Sequence, residues 1–134
     1  MSSTFLLKIG AVGVFGALGA LARFGVYGIV RQMGWHGFPY ATFTVNMVGC
    51  LLFGTFVSLA EHRFEFSELT KLAILVGFMG SFTTFSTFAL DGSALLREGQ
   101  LLRAAIYIVG QNVIGIACIF LGLYLGRYVG VSNG

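Results

Sequence analysis

Long apolar runs alternate with short polar connections along this chain. Four runs are long enough to cross a bilayer, because a membrane helix needs about 20 mostly apolar residues to span a hydrocarbon core of roughly 30 Å. They cover approximately residues 5–30, 40–60, 72–96 and 101–128, and the connections hold most of the charges. This pattern predicts an all-α membrane protein with four transmembrane helices in one domain that covers residues 1–134.

The composition indicates a lipid environment for the whole chain. Of its 134 residues, 57% are hydrophobic and only 10% are charged, and the mean hydropathy is +0.89. A soluble domain carries more charged surface than that, so this chain would expose large apolar patches in water. The four spans leave no room for a soluble catalytic domain, and the residues include no nucleophile paired with a base, no metal-ligand set and no phosphate loop. We therefore do not expect an enzyme.

The first apolar run has some features of a cleaved signal peptide. Lys8 precedes the run, and the sequence Ala-Leu-Ala at residues 20–22 has the small-x-small form of a cleavage site. However, the run continues past that site to Val30, and the rest of the chain is also typical of a membrane protein. We therefore interpret this segment as a first transmembrane helix.

The positive charges are balanced across the expected membrane. In a four-span chain both termini and the middle connection lie on one side, and an excess of Lys and Arg normally marks the cytoplasmic side. One side carries Lys8, Arg63, Lys71 and Arg127, and the other carries Arg23, Arg31, Arg97 and Arg103. This balance predicts insertion in both orientations, with two opposite copies paired about an axis in the membrane plane. The alternative is that a small difference in span hydrophobicity fixes one orientation.

The middle of the third span is unusually polar. Residues 77–88 contain two glycines and five hydroxyl side chains interleaved with four phenylalanines. Glycine and threonine weaken a helix, and hydroxyls compete for backbone hydrogen bonds, so we predict a break near residues 80–84. Broken helices at mid-membrane are typical of ion sites, because the freed backbone groups need protein or a water-filled path to satisfy them. The alternative is an unbroken helix whose hydroxyls bond to their own backbone.

Asn46 is the only amide in the second span. Thr42 lies four residues earlier and shares its helix face. A buried amide needs hydrogen-bond partners, so Asn46 either joins neighbouring helices or donates its NH₂ group to a passing anion. The sequence leaves both readings open.

Glycines recur at helical spacing in the first and last spans. The recurring positions are Gly10, Gly13, Gly16 and Gly19 in the first span and Gly122, Gly126 and Gly130 in the last. Small residues let membrane helices approach closely, so these positions predict a compact bundle.

The polar groups inside the spans suit an anion better than a cation. Cation pathways usually carry intramembrane carboxylates, but the only carboxylate well inside a span is Asp91, near the end of that span. Phe85 and Phe88 lie three residues apart and share a face if that half of the span is helical. Because a phenyl ring has a positive edge, such a pair either solvates an anion or packs as an ordinary apolar core. Weak, uncharged donors suit conduction of a small, strongly hydrated anion, since the ion must also leave.

Three motifs resemble the Fluc/CrcB family of fluoride channels. The sequence TTFSTF at residues 83–88 looks like the family signature, GALARF at residues 19–24 resembles its first-helix motif, and TFTVNMVG at residues 42–49 resembles its second-helix motif. The resemblance extends over the whole chain in length, number of spans and order of motifs.

The resemblance implies roles for individual residues. Phe85 and Phe88 would line a fluoride path with their ring edges, and Asn46 would donate to the ion. The residues expected to complete the path are Thr42, Ser86 and Thr87 as a polar track, Tyr107 of the last span, which shares a face with Gln111, and Arg23 at a pore entrance.

The resemblance also implies an assembly and a biological role. Two antiparallel subunits, each with a broken third helix, would form a homodimer with two pores in the bacterial inner membrane. A structural sodium ion would lie at the dimer centre, held by the backbone carbonyls of Gly80 and Thr83 from each subunit. The channel would let fluoride leave the cytoplasm passively after its entry as neutral hydrogen fluoride.

Some positions depart from the family pattern, and two other functions remain possible on the residues alone. Residues 80–82 read Gly-Ser-Phe instead of Gly-Gly-Leu, Ala41 replaces a glycine, and Asp91 replaces a glutamate, which leaves the polar contacts of that acid open.

One alternative function is a small dual-topology, proton-coupled exporter of cationic compounds, which needs an embedded carboxylate. Another is a non-transporting membrane scaffold. The net charge of +3 indicates contact with lipid head groups and not with nucleic acid.

Overall fold

Four membrane-length helical spans make up the fold. The computed structural model describes residues 2–129, and those residues contain no β-strand. The spans are α1 (Ser3–Gln32), α2 (Tyr40–His62), the third span (Glu68–Arg97) and the last span (Leu101–Tyr128). The predicted all-α, four-span architecture is confirmed. The last span has the predicted bounds, and the other three extend slightly beyond the apolar runs.

The third span is interrupted at its middle. Its first part, α3, covers residues 68–82, its second part, α4, is Phe85–Arg97, and the last span is therefore α5. Thr83 and Thr84 between the two parts are extended, with ψ angles of 159° and 113°. The predicted break is present at this place, and the alternative of an unbroken helix is wrong.

The first part of the third span differs from a regular α-helix. It begins at Glu68, before the apolar run, because the Ser67 hydroxyl accepts a hydrogen bond of 3.1 Å from the backbone N–H of Thr70. Residues Leu72–Met79 are π-helical, so each N–H bonds five residues back instead of four. This widened helix, which was not predicted from the sequence, leads directly into the break.

Two tight helix pairs position the break. At Gly122 of α5, an added Cβ would lie 2.7 Å from the backbone nitrogen of Thr55 in α2. At Gly19 of α1, an added Cβ would lie 3.0 Å from the carbonyl carbon of Phe78 in α3. Gly126 also contacts α2, whereas Gly10 and Gly13 meet nothing within 4 Å, and Gly130 lies outside the described residues. The glycines therefore act as close-contact points at some of the predicted positions.

Much apolar surface remains uncovered in the single chain. Phe85 is 79% exposed and Phe24 is 77% exposed, and the other long helices also carry exposed apolar side chains. Such surface is stable against lipid or a second protein surface, but not in water.

Candidate functional site

Asn46 holds the backbone at the break. Its Oδ1 accepts a hydrogen bond of 2.8 Å from the Thr84 N–H, and its Nδ2 donates to the Thr84 carbonyl at 3.1 Å. The same Nδ2 donates to Gln111 Oε1 on α5 at 3.3 Å. Both backbone groups of Thr84 are thus satisfied inside the span, as a non-aqueous environment requires. The sequence left two roles open for Asn46, joining neighbouring helices or donating to an anion. In this structure its side chain joins neighbouring helices.

A cavity of about 370 Å³ opens beside this contact. Its lining includes Asn46, Thr83, Thr84, Phe85, Phe88 and Gln111. Within the part of the chain that the structure describes, none of its lining residues is acidic. The cavity therefore combines amide, hydroxyl and phenyl groups without a negative charge, a set that suits an anion.

Phe85 and Phe88 form the aromatic part of the cavity. Their ring centroids are 5.6 Å apart, and the rings are tilted by 55°. Phe88 is half-buried and packs against Tyr107 with a centroid distance of 5.4 Å, whereas Phe85 faces outward from the chain. The predicted pair therefore shares one face, and it extends from the interior of the bundle to its surface.

A second polar cluster centres on Asp91. Thr42 Oγ1 donates to Asp91 Oδ2 at 2.6 Å, and the Tyr107 hydroxyl donates to the same oxygen at 3.2 Å. Because Thr42 gives its only hydroxyl hydrogen to Asp91, the Tyr27 hydroxyl must donate in the 2.7 Å contact with Thr42. The carboxylate thus receives hydrogens from both predicted pathway residues Thr42 and Tyr107.

Two members of this cluster were not among the predicted site residues. The sequence places Asp91 within the span with its contacts open, and Tyr27 carries no role predicted from the sequence. A phenol inside an apolar helix needs a polar partner, which is the signal that would have drawn attention to Tyr27.

The hydroxyls after the break form a separate group around Thr84. Thr84 Oγ1 accepts from the Thr87 N–H at 3.2 Å and donates to Thr87 Oγ1 at 3.0 Å, and Ser86 Oγ lies 3.5 Å from it. Ser86 is exposed and Thr87 is half-buried. The structure therefore brings Ser86 and Thr87 together, but neither is hydrogen-bonded to Thr42.

A basic cavity of about 410 Å³ lies along α1. Its lining includes Ala20, Arg23, Phe24, Tyr27, Arg31 and Thr87. Arg23 and Arg31 are eight residues apart and share a helix face with Tyr27 between them. Since Tyr27 also bonds to Thr42, the basic cavity is linked to the Asp91 cluster. Arg31 was predicted only to contribute to the charge balance, although its helical spacing from Arg23 also indicates that the two side chains share this face.

The carbonyls of Gly80 and Thr83 have lost their usual helical donors. The N–H four residues after Gly80 belongs to Thr84, and it bonds to Asn46 instead. The N–H four residues after Thr83 belongs to Thr87, and it bonds to Thr84 Oγ1. Carbonyl oxygens freed in this way are suitable ligands for a hard cation. By contrast, the described residues include no cluster of three or more His, Cys, Asp or Glu side chains.

Comparisons with known proteins agree with one another. The family model described as "CrcB-like protein, Camphor Resistance (CrcB)" matches residues 10–123. The chain is 41% identical over 122 residues to a protein of Nitrosococcus oceani named "Fluoride-specific ion channel FluC". This alignment covers 91% of the chain and 98% of that relative. Proteins of the same name from Maridesulfovibrio salexigens and Geobacter metallireducens are 46% and 36% identical, over 92% of the chain and 95% and 100% of their own lengths.

Proposed function

The chain belongs to the CrcB family, and from that premise we propose that it is a fluoride-selective ion channel of the bacterial inner membrane. It exports cytoplasmic fluoride passively and is not an enzyme. The observation that carries this proposal is the broken third span, where Asn46, Phe85 and Phe88 line one uncharged cavity. The relatives named as fluoride-specific channels support the identity of the ion.

The groups along the proposed pathway fit a small anion. Arg23 attracts the ion to the entrance, and the ring edges of Phe85 and Phe88 replace part of its hydration shell. Asn46 donates to the ion when its longer hydrogen bond, that of 3.3 Å to Gln111, is released. The polar side chains that complete the pathway are Thr42, Ser86, Thr87 and Tyr107. Uncharged donors hold the ion weakly enough for it to leave.

The working unit in this proposal is an antiparallel homodimer with two pores. The even distribution of eight Lys and Arg residues supports insertion in both orientations. The outward-facing Phe85 supports a subunit contact, because a pathway residue that is 79% exposed needs a second surface to enclose the ion. Lipid covers the remaining apolar surface.

A structural sodium ion at the dimer centre fits the freed carbonyls. Gly80 is exposed in the single chain, and Thr83 is half-buried, so their carbonyls are available to a second copy at the break. The ion would supply positive charge that holds the two breaks together. The chain itself frees these carbonyl oxygens, because the Thr84 N–H bonds to Asn46 and the Thr87 N–H bonds to the Thr84 hydroxyl. Neither N–H then donates to the carbonyl four residues before it.

Fluoride efflux from liposomes tests the proposed function. Purified protein is reconstituted into vesicles loaded with potassium fluoride, valinomycin dissipates the voltage, and an external electrode records fluoride release. Parallel vesicles contain potassium chloride. We expect rapid release of fluoride and no release of chloride. If a folded protein released neither ion, or both equally, the proposal of a selective channel would be wrong.

Labelling from one side of the membrane tests the dual orientation. Glu65 is exposed in the connection between the second and third spans, so Glu65→Cys introduces an accessible thiol there. Cys50 and Cys118 lie within spans, and the wild-type protein measures how much label these two native cysteines take up. An impermeant thiol reagent should label about half of the introduced thiols in sealed cells, as two equally populated orientations require. Complete labelling or none would indicate one fixed orientation.

A further inference from the structure

Both cysteines of the chain lie where α2 packs against α5. Cys50 belongs to α2 and Cys118 to α5, and they are the only two cysteines in the sequence. Both are half-buried free thiols. Because the two residues are far apart in the sequence, no local spacing indicates that they meet, and only the packing of the two helices brings them to one place.

Gly115 of α5 marks the place on the α2 side. An added Cβ at Gly115 would lie 3.6 Å from the Cys50 Sγ atom and 3.5 Å from the Met47 Cε atom. Met47 and Cys50 are three residues apart in α2, so they share a helix face. Since glycine has no side chain, the two sulfur-containing side chains face an open position on α5.

Cys118 meets α2 beside Cys50. It lies three residues after Gly115 and four before Gly122, so these three residues share one face of α5. Gly115 contacts Cys50, and Gly122 contacts Thr55 further along α2. The second and fourth spans cross the membrane in the same direction, so Cys118 contacts α2 between these two points. Two thiols and one thioether therefore converge from two helices.

The convergent atoms form a set of soft ligands. Thiolate and thioether sulfur atoms select soft cations such as Cu(I), whereas Mg²⁺ and Ca²⁺ prefer oxygen. Met47 and Cys50 also line the cavity that contains Phe85 and Phe88, where none of the described lining residues is acidic. Ordinary packing accounts for a single buried thiol. It gives no reason for both thiols of the chain and a thioether to meet beside a cavity.

We propose that Met47, Cys50 and Cys118 form a binding site for a soft monovalent cation of the class of Cu(I) and Ag(I). Cys50 lines the cavity, so its S–H bond can break there and release the proton to water. A bond from this sulfur to the cation replaces the S–H bond, and the other two sulfur atoms donate lone pairs. One thiolate neutralises the single positive charge, so the complex has no net charge to bury within the membrane.

A bound cation also affects the cavity beside the break. Cys50 lies four residues after Asn46 on the same face of α2, so the cation fills space next to the residues assigned to the fluoride pathway. It also links α2 to α5 at this level. We therefore expect the bound cation to slow fluoride flux, and this consequence alone rests on the proposed channel function.

Silver binding by the purified protein tests the site. Ag(I) is the probe because it keeps its oxidation state in air, and a chloride-free nitrate buffer keeps it in solution. We expect native mass spectrometry to count one silver ion per chain. Cys50→Ser and Cys118→Ser retain the side-chain shape without the soft atom. Each should weaken binding by more than about a hundredfold, because loss of an outer-shell contact already costs about tenfold to a hundredfold.

Two methionine variants provide the matched comparison. Met47→Leu removes the thioether and should weaken silver binding, although less than loss of either cysteine. Met33→Leu is the control, because Met33 is exposed at the end of α1, and it should bind silver as the wild type does. Equal affinity of the wild type and Cys118→Ser, or no bound silver in the wild type, would overturn the proposal.

X-ray absorption by the silver-loaded wild type decides the matter even if a serine variant does not fold. We expect only sulfur atoms around the silver, and a shell of oxygen or nitrogen atoms would overturn the site. In the liposome assay, silver should slow fluoride efflux through the wild type but not through Cys118→Ser. Unchanged efflux through silver-loaded wild type would overturn the predicted block. Absence of efflux without silver would instead refute the channel function, while the silver count would still test the site.

Discussion

Replacement of Asn46 by leucine should destabilise the break in the third span. Leucine matches asparagine in shape but provides neither the acceptor for the Thr84 N–H nor the donor for the Thr84 carbonyl. Thr84 is only 6% exposed, so water does not replace either contact without a rearrangement. The two helical halves of the third span would then meet at an unsatisfied peptide group.

The expected loss follows from those two backbone groups. A buried donor or acceptor left without a partner costs about 1–3 kcal/mol, so the pair amounts to roughly 2–6 kcal/mol in the free energy of unfolding. The bond from Asn46 to Gln111 is the longest of the three, at 3.3 Å, and its loss adds the least. A reduction of this size is large compared with the total stability of most domains, about 5–15 kcal/mol.

Asn112→Leu is the matched control for this measurement. Asn112 is exposed, and its amide bonds at 2.7 Å to the carbonyl of Ile108 in its own helix. Surface substitutions of this kind usually change stability by less than about 0.5 kcal/mol. Both variants would be unfolded in mixed detergent micelles with increasing denaturing detergent, followed by circular dichroism and gel filtration. Equal stability of the Asn46→Leu and Asn112→Leu variants would refute the assigned role of Asn46.

Two further predictions concern packing and permeation. Gly122→Ala should destabilise the protein by about 1–3 kcal/mol, the usual cost of overpacking, because its Cβ would meet Thr55 N at 2.7 Å. Gly110→Ala is the control and should be tolerated, because its Cβ would lie 3.8 Å from the nearest atom outside its own helix. If the Gly122→Ala and Gly110→Ala variants had similar melting temperatures in detergent, the close contact at Gly122 would not stabilise the protein as expected. Phe85→Ile and Phe88→Ile should each lower fluoride efflux from liposomes without unfolding the protein, because isoleucine has no positive ring edge. Unchanged efflux in both folded variants would count against solvation of the ion by the rings.

The spans and the break could be predicted because both depend on local sequence. An apolar run of sufficient length has few alternatives to a membrane helix, and the Gly-Thr-Ser cluster weakens a helix where it stands. The early start at Glu68 was missed because hydropathy does not register a polar first turn. Its signal is the cap at Ser67, whose hydroxyl bonds to the Thr70 N–H.

The remaining parts of the site depend on contacts between distant residues. Thr42 and Asp91 are separated by 49 positions and Asn46 and Gln111 by 65, so no local pattern relates them. The sequence showed that Asn46 needs partners, but only the fold identifies Thr84 and Gln111 as those partners. The π-helical segment Leu72–Met79 lies in the part of α3 that packs against α1, where Gly19 contacts Phe78, and no local pattern in the sequence marks it.

The most direct test of the central claim is the reversal potential of currents through the purified protein in a planar bilayer. One chamber holds potassium fluoride and the other an equal concentration of potassium chloride, so potassium has no gradient. A fluoride-selective pore predicts a reversal potential displaced strongly in the direction set by fluoride. A reversal at zero would indicate a potassium pathway or equal passage of both anions, and a displacement in the opposite direction would indicate a chloride pathway. Either of the last two results would contradict the account.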